Sequence, residues 1–397
     1  MTIKPLKTAI ALASFSAMSS FASADTPTLK DVLDASDITA TGYVDAAYVH
    51  YNNDVPSPIN YFDSDKDSFS LKQAAVTIAS QPKEGFGALV NITTGSDADC
   101  IRSYPYNKNS ILTANGGADC SVNGSGFDVT QAFVQYAAGP VTTIAGKFNT
   151  LAGAEVIAPT GNANITRSIA FLNALPFTHT GARVTFAATD TLSLIAGINN
   201  GWDQQKDTNN SKTAELGITW APVTAFTWTA QIYNGKETIC DALTSCASTR
   251  DTNRFLFDTV ATWKATDALT FVLNYDYGRQ DDAVLNSSGS TSDATWNAVV
   301  GYINYAFNDQ WHASLRAEVF DDKDDYKIGL VDLSAGAPSK KTKELTLTVG
   351  YAPTSSVEIR GELRRDKADK EAFVDNLNDA TITDAQTVAA LEAYYKF

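Results

Sequence analysis

Val357-Glu358-Ile359-Arg360-Gly361-Glu362-Leu363-Arg364 is the stretch that decides the fold. Val357, Ile359, Gly361 and Leu363 alternate with Glu358, Arg360, Glu362 and Arg364, a period of two. A helix would scatter these charges round its surface, whereas a strand gathers them on one face. The same alternation runs through Leu345, Leu347, Val349 and Tyr351 against Glu344, Thr346 and Thr348. It returns in Trp311, Ala313, Leu315, Ala317 and Val319 against His312, Ser314, Arg316 and Glu318. One face is apolar and the other is charged.

Working outward from these segments predicts strands at 38–51, 69–82, 84–94, 127–138, 141–150, 178–188, 191–200 and 211–222. Eight more follow at 224–234, 253–265, 268–278, 294–307, 310–320, 341–353, 355–366 and 386–397. Tight connections such as Ala138-Gly139-Pro140, Ala188-Thr189-Asp190 and Ala352-Pro353-Thr354 alternate with long polar loops. The longest loops fall near 95–126 and 151–177. An even strand number with short turns at one end and long loops at the other describes a transmembrane antiparallel β-barrel of about 16 strands. The short turns are then periplasmic and the long loops extracellular. Each segment has roughly 10 residues or more, enough to cross a bilayer when tilted. Closure leaves no unpaired edge in hydrocarbon. A soluble sandwich would not explain paired charges on the polar face of so many neighbouring strands.

The composition agrees. The 397 residues carry 30 basic and 45 acidic side chains, a formal charge of −15 that argues against a nucleic-acid partner. There is no interior run of 18 apolar residues, so a bundle of membrane helices is excluded, but a barrel is not. Lys4 and Lys7, the apolar stretch Thr8 to Phe15, and Ala22-Ser23-Ala24 predict a cleaved signal peptide over 1–24. A short periplasmic segment, 25–37, and the barrel, 38–397, complete the organisation. Four cysteines fit an oxidising compartment. Cys100 and Cys120 share one polar loop and Cys240 and Cys246 another, so pairing within each loop is the simplest connectivity.

The last segment places Ala389, Leu391, Ala393, Tyr395 and Phe397 on one face. A stripe ending on an aromatic carboxy-terminus looks like the signal that the outer-membrane assembly machinery recognises. Phe86, Trp220, Phe226, Trp263, Phe307, Trp311 and Tyr351, near turn ends, suit an interfacial girdle. The charged face then points into the lumen, since such charges on lipid would each cost about 2–4 kcal/mol at mid-membrane. Lining candidates are Asp45, Arg316, Glu318, Glu344, Glu358, Arg360, Glu362, Arg364 and Glu392, with Lys147 and Arg183. At 16 strands side chains no longer fill the interior, which favours a channel.

The loop 151–177 carries only Glu155 and Arg167 as charges and is otherwise apolar. A loop so apolar is expected inside the barrel, where Glu155 and Arg167, with Lys147 and Arg183, would form a constriction. Two stretches then carry a resemblance. Gly146-Lys147-Phe148-Asn149-Thr150-Leu151-Ala152-Gly153-Ala154-Glu155-Val156-Ile157 is one. The other is Asn164-Ile165-Thr166-Arg167-Ser168-Ile169-Ala170-Phe171, followed by Pro176-Phe177-Thr178-His179-Thr180-Gly181-Ala182-Arg183. Both resemble the OmpL-like outer-membrane β-barrel porin family. The resemblance implies a porin of the bacterial outer membrane and no particular solute.

No HExxH, P-loop or nucleophile elbow occurs. His50, His179 and His312 build no acid–base cluster, and His312 reads as a residue of the periplasmic rim. No enzyme activity, cofactor or metal is expected. The expected function is passive diffusion of small hydrophilic solutes or ions through a water-filled barrel. A plugged structural or receptor barrel is the alternative, and a barrel-embedded hydrolase a more distant one. Expected partners are outer-membrane lipid and lipopolysaccharide, small solutes, the assembly machinery through Phe397, and two further copies in a homotrimer.

Overall fold

A computed structural model describes residues 33, 35–56, 58–101, 126–240, 249–285, 289–328, 341–378 and 381–397. Residues 1–24, Cys120 and Cys246 lie outside the described residues, so the predicted signal peptide and both disulfide pairings fall there. The first half of the barrel is β1 (Thr39–Tyr51), β2 (Ser68–Ser80), β3 (Gly85–Thr94), β4 (Phe127–Ala138), β5 (Val141–Asn149), β6 (Thr178–Thr189), β7 (Leu192–Asn199) and β8 (Thr213–Val223). The second half is β9 (Phe226–Cys240), β10 (Thr249–Lys264), β11 (Leu269–Leu285), β12 (Thr291–Ala306), β13 (Trp311–Asp322), β14 (Lys341–Thr354) and β15 (Val357–Ala368), closed by β18 (Ala385–Lys396). Each strand pairs antiparallel with its sequence neighbours, and β18 pairs with both β15 and β1 to close a sixteen-stranded barrel.

Closure is carried to the last residue. Gly42 N–H donates to the Phe397 carbonyl at 2.9 Å, and Phe397 N–H returns the bond to Gly42 at 2.9 Å. A Cβ on residue 42 would lie 2.5 Å from the Phe397 ring, so only glycine lets the terminal aromatic lie down here. The outer face is apolar over most of its height, with Val76, Ile78, Leu216, Leu273, Leu347, Leu363 and Leu391 exposed. Toward the short-turn end it finishes in aromatic contacts, including Trp311 on Tyr351 at 4.6 Å and Trp263 on Phe271 at 5.6 Å.

Two features depart from the sequence expectation. Strands β9 to β12 run several residues further than predicted at the long-loop end, because ladder hydrogen bonding continues past the membrane, where no lipid demands an apolar face. The final long connection also holds a small hairpin, β16 (Phe373–Asn376) with β17 (Thr381–Thr383), for which no strand was expected.

Candidate functional site: the inserted loop and the charged wall

The loop between β5 and β6 lies inside the barrel, as its composition requires. It leaves β5 after Asn149 and turns at Gly153, whose φ of +90 disfavours any other residue and whose Cα side is packed by Leu175. A single 3-10 turn, Pro159–Gly161, and a short helix, α2 (Ile169–Asn173), shape it. All five residues of α2 are buried. Phe171, Leu172, Phe177 and Ile157 pack with Phe62 and with Ile101 of α1 (Ala98–Ile101), so loops from the β1–β2 and β3–β4 connections share its apolar core.

Burying so much irregular backbone requires partners for its N–H and C=O groups, and the charged wall supplies them. Glu318 on β13 accepts from Ile169 N–H at 2.7 Å and Ala170 N–H at 2.6 Å, the open donors at the start of α2. Ser168 caps the same turn through Phe171 N–H at 3.0 Å. Glu362 on β15 accepts from Ile165 N–H at 2.6 Å and Thr166 N–H at 3.0 Å. Arg364 donates to the Arg167 carbonyl at 2.6 Å, and Arg360 to the Asn162 carbonyl at 2.5 Å. On β12 and β11, Trp296 reaches the Ala174 carbonyl at 3.3 Å and Asn274 accepts from Ala154 N–H at 3.1 Å.

Wall charges also pair with one another. Arg316 binds Glu344 at 2.8 Å, Arg364 binds Asp366 at 2.9 Å, and Arg183 binds Glu215 at 2.8 Å. Arg360 Nε donates to Glu392 at 2.6 Å. Lys147 pairs with Asp128 at 3.0 Å. His312, at the rim as expected, sits 3.2 Å from Glu358. The predicted lining charges of β1, β6, β13, β14, β15 and β18 thus lie on the inward face, but Lys147 is not among them. On β5 the inward residues are Ile144 and Phe148, opposite Arg183 and His179, and Lys147 pairs with Ala132 and Thr180 on the other face.

The two loop charges are in the barrel but are engaged there. Glu155 accepts from Arg316 at 2.7 Å and from Ser168 N–H and Oγ at 2.8 and 2.9 Å. Arg167 donates to the Val156, Ile157 and Ile165 carbonyls at 3.2, 2.8 and 2.9 Å. The expected Glu155–Arg167 pair of opposed selectivity charges is therefore a latch and a knot within the loop. A third network escaped sequence reading: Lys72 binds Asp97 at 3.0 Å and Asp63 at 3.3 Å. Lys72 is the extra residue of a bulge, where the register jumps between Asp45↔Gln73 and Ala46↔Leu71, so strict alternation assigns it to the wrong face. Beside it, a cavity of about 10 Å³ between Asp45, Asp63, Lys72, Asp97, Arg167 and Glu392 has room for one water, so the loop is closed against β1 and β2.

The sequence profile of the family described as "Putative beta-barrel porin-2, OmpL-like" matches residues 37–397. The chain belongs to this family. No curated protein matches it. Among solved structures it is similar to the outer membrane channel DcaP of Acinetobacter baumannii, at 14% identity and a TM-score of 0.57, covering 91% of this chain and 97% of that one. It is also similar to an anion-selective porin from Comamonas acidovorans, at 10% identity and 0.58, over 91% and 99%. OprB of Pseudomonas putida aligns at 12% identity and 0.57, over 93% and 96%. At these identities the structures establish a shared fold.

Proposed function

We propose that the protein is an outer-membrane porin through which small hydrophilic solutes or ions diffuse passively, past a constriction made by the 151–177 loop. The observation that carries this reading is the docking of that loop onto wall charges inside a sixteen-stranded barrel, together with the porin family to which the chain belongs. The loop's hydrogen bonds to the wall go largely to β13 and β15, with others to β2, β9, β11, β12 and β14. On the other side, inward residues Leu89, Asn91, Thr142, Ile144 and Thr185 remain partly exposed. Solutes then pass along β3 to β6. Because Glu155 and Arg167 are consumed in holding the loop, they act on selectivity by fixing the width of the passage. Arg183 flanks it, paired with Glu215, so ion preference is mild and toward cations.

The reading includes a signal peptide removed after residue 24, disulfides Cys100–Cys120 and Cys240–Cys246 in external loops, delivery through the Phe397 signal, and a homotrimer. OmpT of Vibrio cholerae, similar in fold at 12% identity, has a structure in a trimer form. The tiny cavity beside Lys72 is the observation that favours a plugged barrel instead. Liposome swelling separates the two: graded sugars should enter at rates that fall with solute size, whereas a plugged barrel leaves liposomes as impermeable as protein-free ones.

A further inference from the structure

On β14 and β15 the apolar outer face of the barrel gives way to a group of cations. Upward from Tyr351, the outward side chains of β14 are Val349, Leu347 and Leu345, all exposed, and the run ends on Lys343 and Lys341. On β15, Ile359 and Leu363 lead likewise to Arg365 and Lys367. The register sets Lys343 opposite Lys367 and Leu345 opposite Arg365. Four exposed cations therefore share one patch on a chain of net charge −15. Two lysines facing each other across a ladder on the same side repel.

The protein's own acids neutralise only part of this charge. Lys341 lies 3.5 Å from Asp321 and Lys367 lies 3.2 Å from Asp384. Among the described residues, Lys343 has no acidic partner and Arg365 donates only to the Thr387 hydroxyl, at 2.6 Å. Arg279, near the same rim, is by contrast closed by Asp281 at 2.9 Å and Asp293 at 2.7 Å.

Height identifies the missing anion. From Tyr351 in the lower aromatic girdle to Lys343 is about 8 residues, or about 26 Å of strand at ~3.3 Å each. With a tilt of about 40°, Lys343 and Lys367, opposite each other, stand about 20 Å above the girdle, Lys341 about 25 Å and Arg365 about 15 Å. The apolar band of such barrels is about 25 Å tall, so these heads, reaching upward on flexible stems, meet the outer-leaflet headgroups. Below them Leu345, Leu347 and Leu363 continue without a break, so the occupant joins an anionic head to acyl chains. We propose that Lys341, Lys343, Arg365 and Lys367 form a binding site for the phosphate groups of a phosphorylated glycolipid of the outer leaflet. Arg365 can grip a phosphate with two parallel N–H donors, and the lysines add point charges. The proposal rests on outer-membrane placement and not on conduction, so its failure and the failure of the porin reading are separate results.

The test uses the purified full chain in neutral detergent, titrated with bisphosphorylated lipid A and followed by native mass spectrometry. Wild type should bind it, and should bind lipid A stripped of both phosphates far more weakly. At about 1 kcal/mol per surface cation, the double variant Lys343→Gln/Arg365→Gln should lose about thirtyfold in affinity. Lys264→Gln, at the opposite end of the barrel, should lose none. Equal binding of the phosphate-free lipid by wild type would overturn the proposal without recourse to any variant. So would unchanged affinity in the double variant, or full displacement of the lipid by millimolar inorganic phosphate, which would mark a site for free anions.

Discussion

Replacing Glu155 by Gln should loosen the loop rather than reverse the ion preference. The Glu155 carboxylate takes three bonds, from Arg316 Nη1 at 2.7 Å, Ser168 N–H at 2.8 Å and Ser168 Oγ at 2.9 Å. Glutamine keeps one acceptor oxygen and turns an amide N–H₂ toward a donor. It leaves Arg316 with Glu344 as its one close carboxylate, beside the Thr166 carbonyl at 2.7 Å. A hydrogen bond to a charged group is worth about 1.5–3 kcal/mol. Removing one member of a buried pair costs about 3–5 kcal/mol. Since glutamine retains part of the contact, the loss should be about 2–4 kcal/mol. That multiplies the undocked population by about 30 to about 900. Single-channel recording in a salt gradient should show more open-channel noise and brief excursions to higher conductance, with reversal potential little changed. Heat-modifiable gel mobility should shift at a lower temperature. A quiet channel of wild-type conductance whose reversal potential moves toward anions would refute the latch and restore Glu155 as a bare selectivity charge.

Other consequences can be checked in the same preparations. Asp258 and Asp276, both buried, face each other across β10 and β11. Asp276→Asn should therefore stabilise the barrel, by up to about 1 kcal/mol in urea unfolding; a destabilised variant would contradict this. Asn91→Trp places a large ring on the passage side and should lower single-channel conductance with heat-modifiable mobility intact; unchanged conductance would move the passage elsewhere. In the loop after β13, burial and the neighbouring Arg254 push the Lys327 ammonium down to about 7, against 10.5 for the free side chain. The unfolded chain thus binds the extra proton between about pH 7 and 10, so stability from this group rises with pH across that window and is lost as pH falls through it. Melting temperature compared at pH 7.5 and 9.5 should rise, and Lys327→Met should flatten the rise.

The barrel was legible because lipid outside and charge inside force a period of two on β14, β15 and β18. It became illegible where those forces stop. Past the membrane edge, β9 to β12 continue as ladder in water, and nothing in Gly278 to Leu285 marks them as strand. Bulges defeat alternation locally: Lys72 turns inward beside Gln73, and Asp128 keeps the inward face across the register jump at Asn91/Ile92. The loop's burial could be read from its composition, but its partners could not. Glu155 meets Arg316, and Ile165 meets Glu362, through contacts between distant strands that only the closed barrel brings together. Alternation therefore marked the charged inward face of β13 to β15, misassigned Lys147 on β5, and left open which charges are engaged by the loop.

The central claim is a water-filled path beside an inserted, latched loop, and planar-bilayer recording of the wild-type protein tests it most directly. Stable, uniform conductance steps, ohmic at low voltage and mildly cation-selective in a salt gradient, are the predicted result. A purified, heat-modifiable, correctly folded barrel that stays silent at every voltage and salt concentration would contradict the account and make the loop a plug.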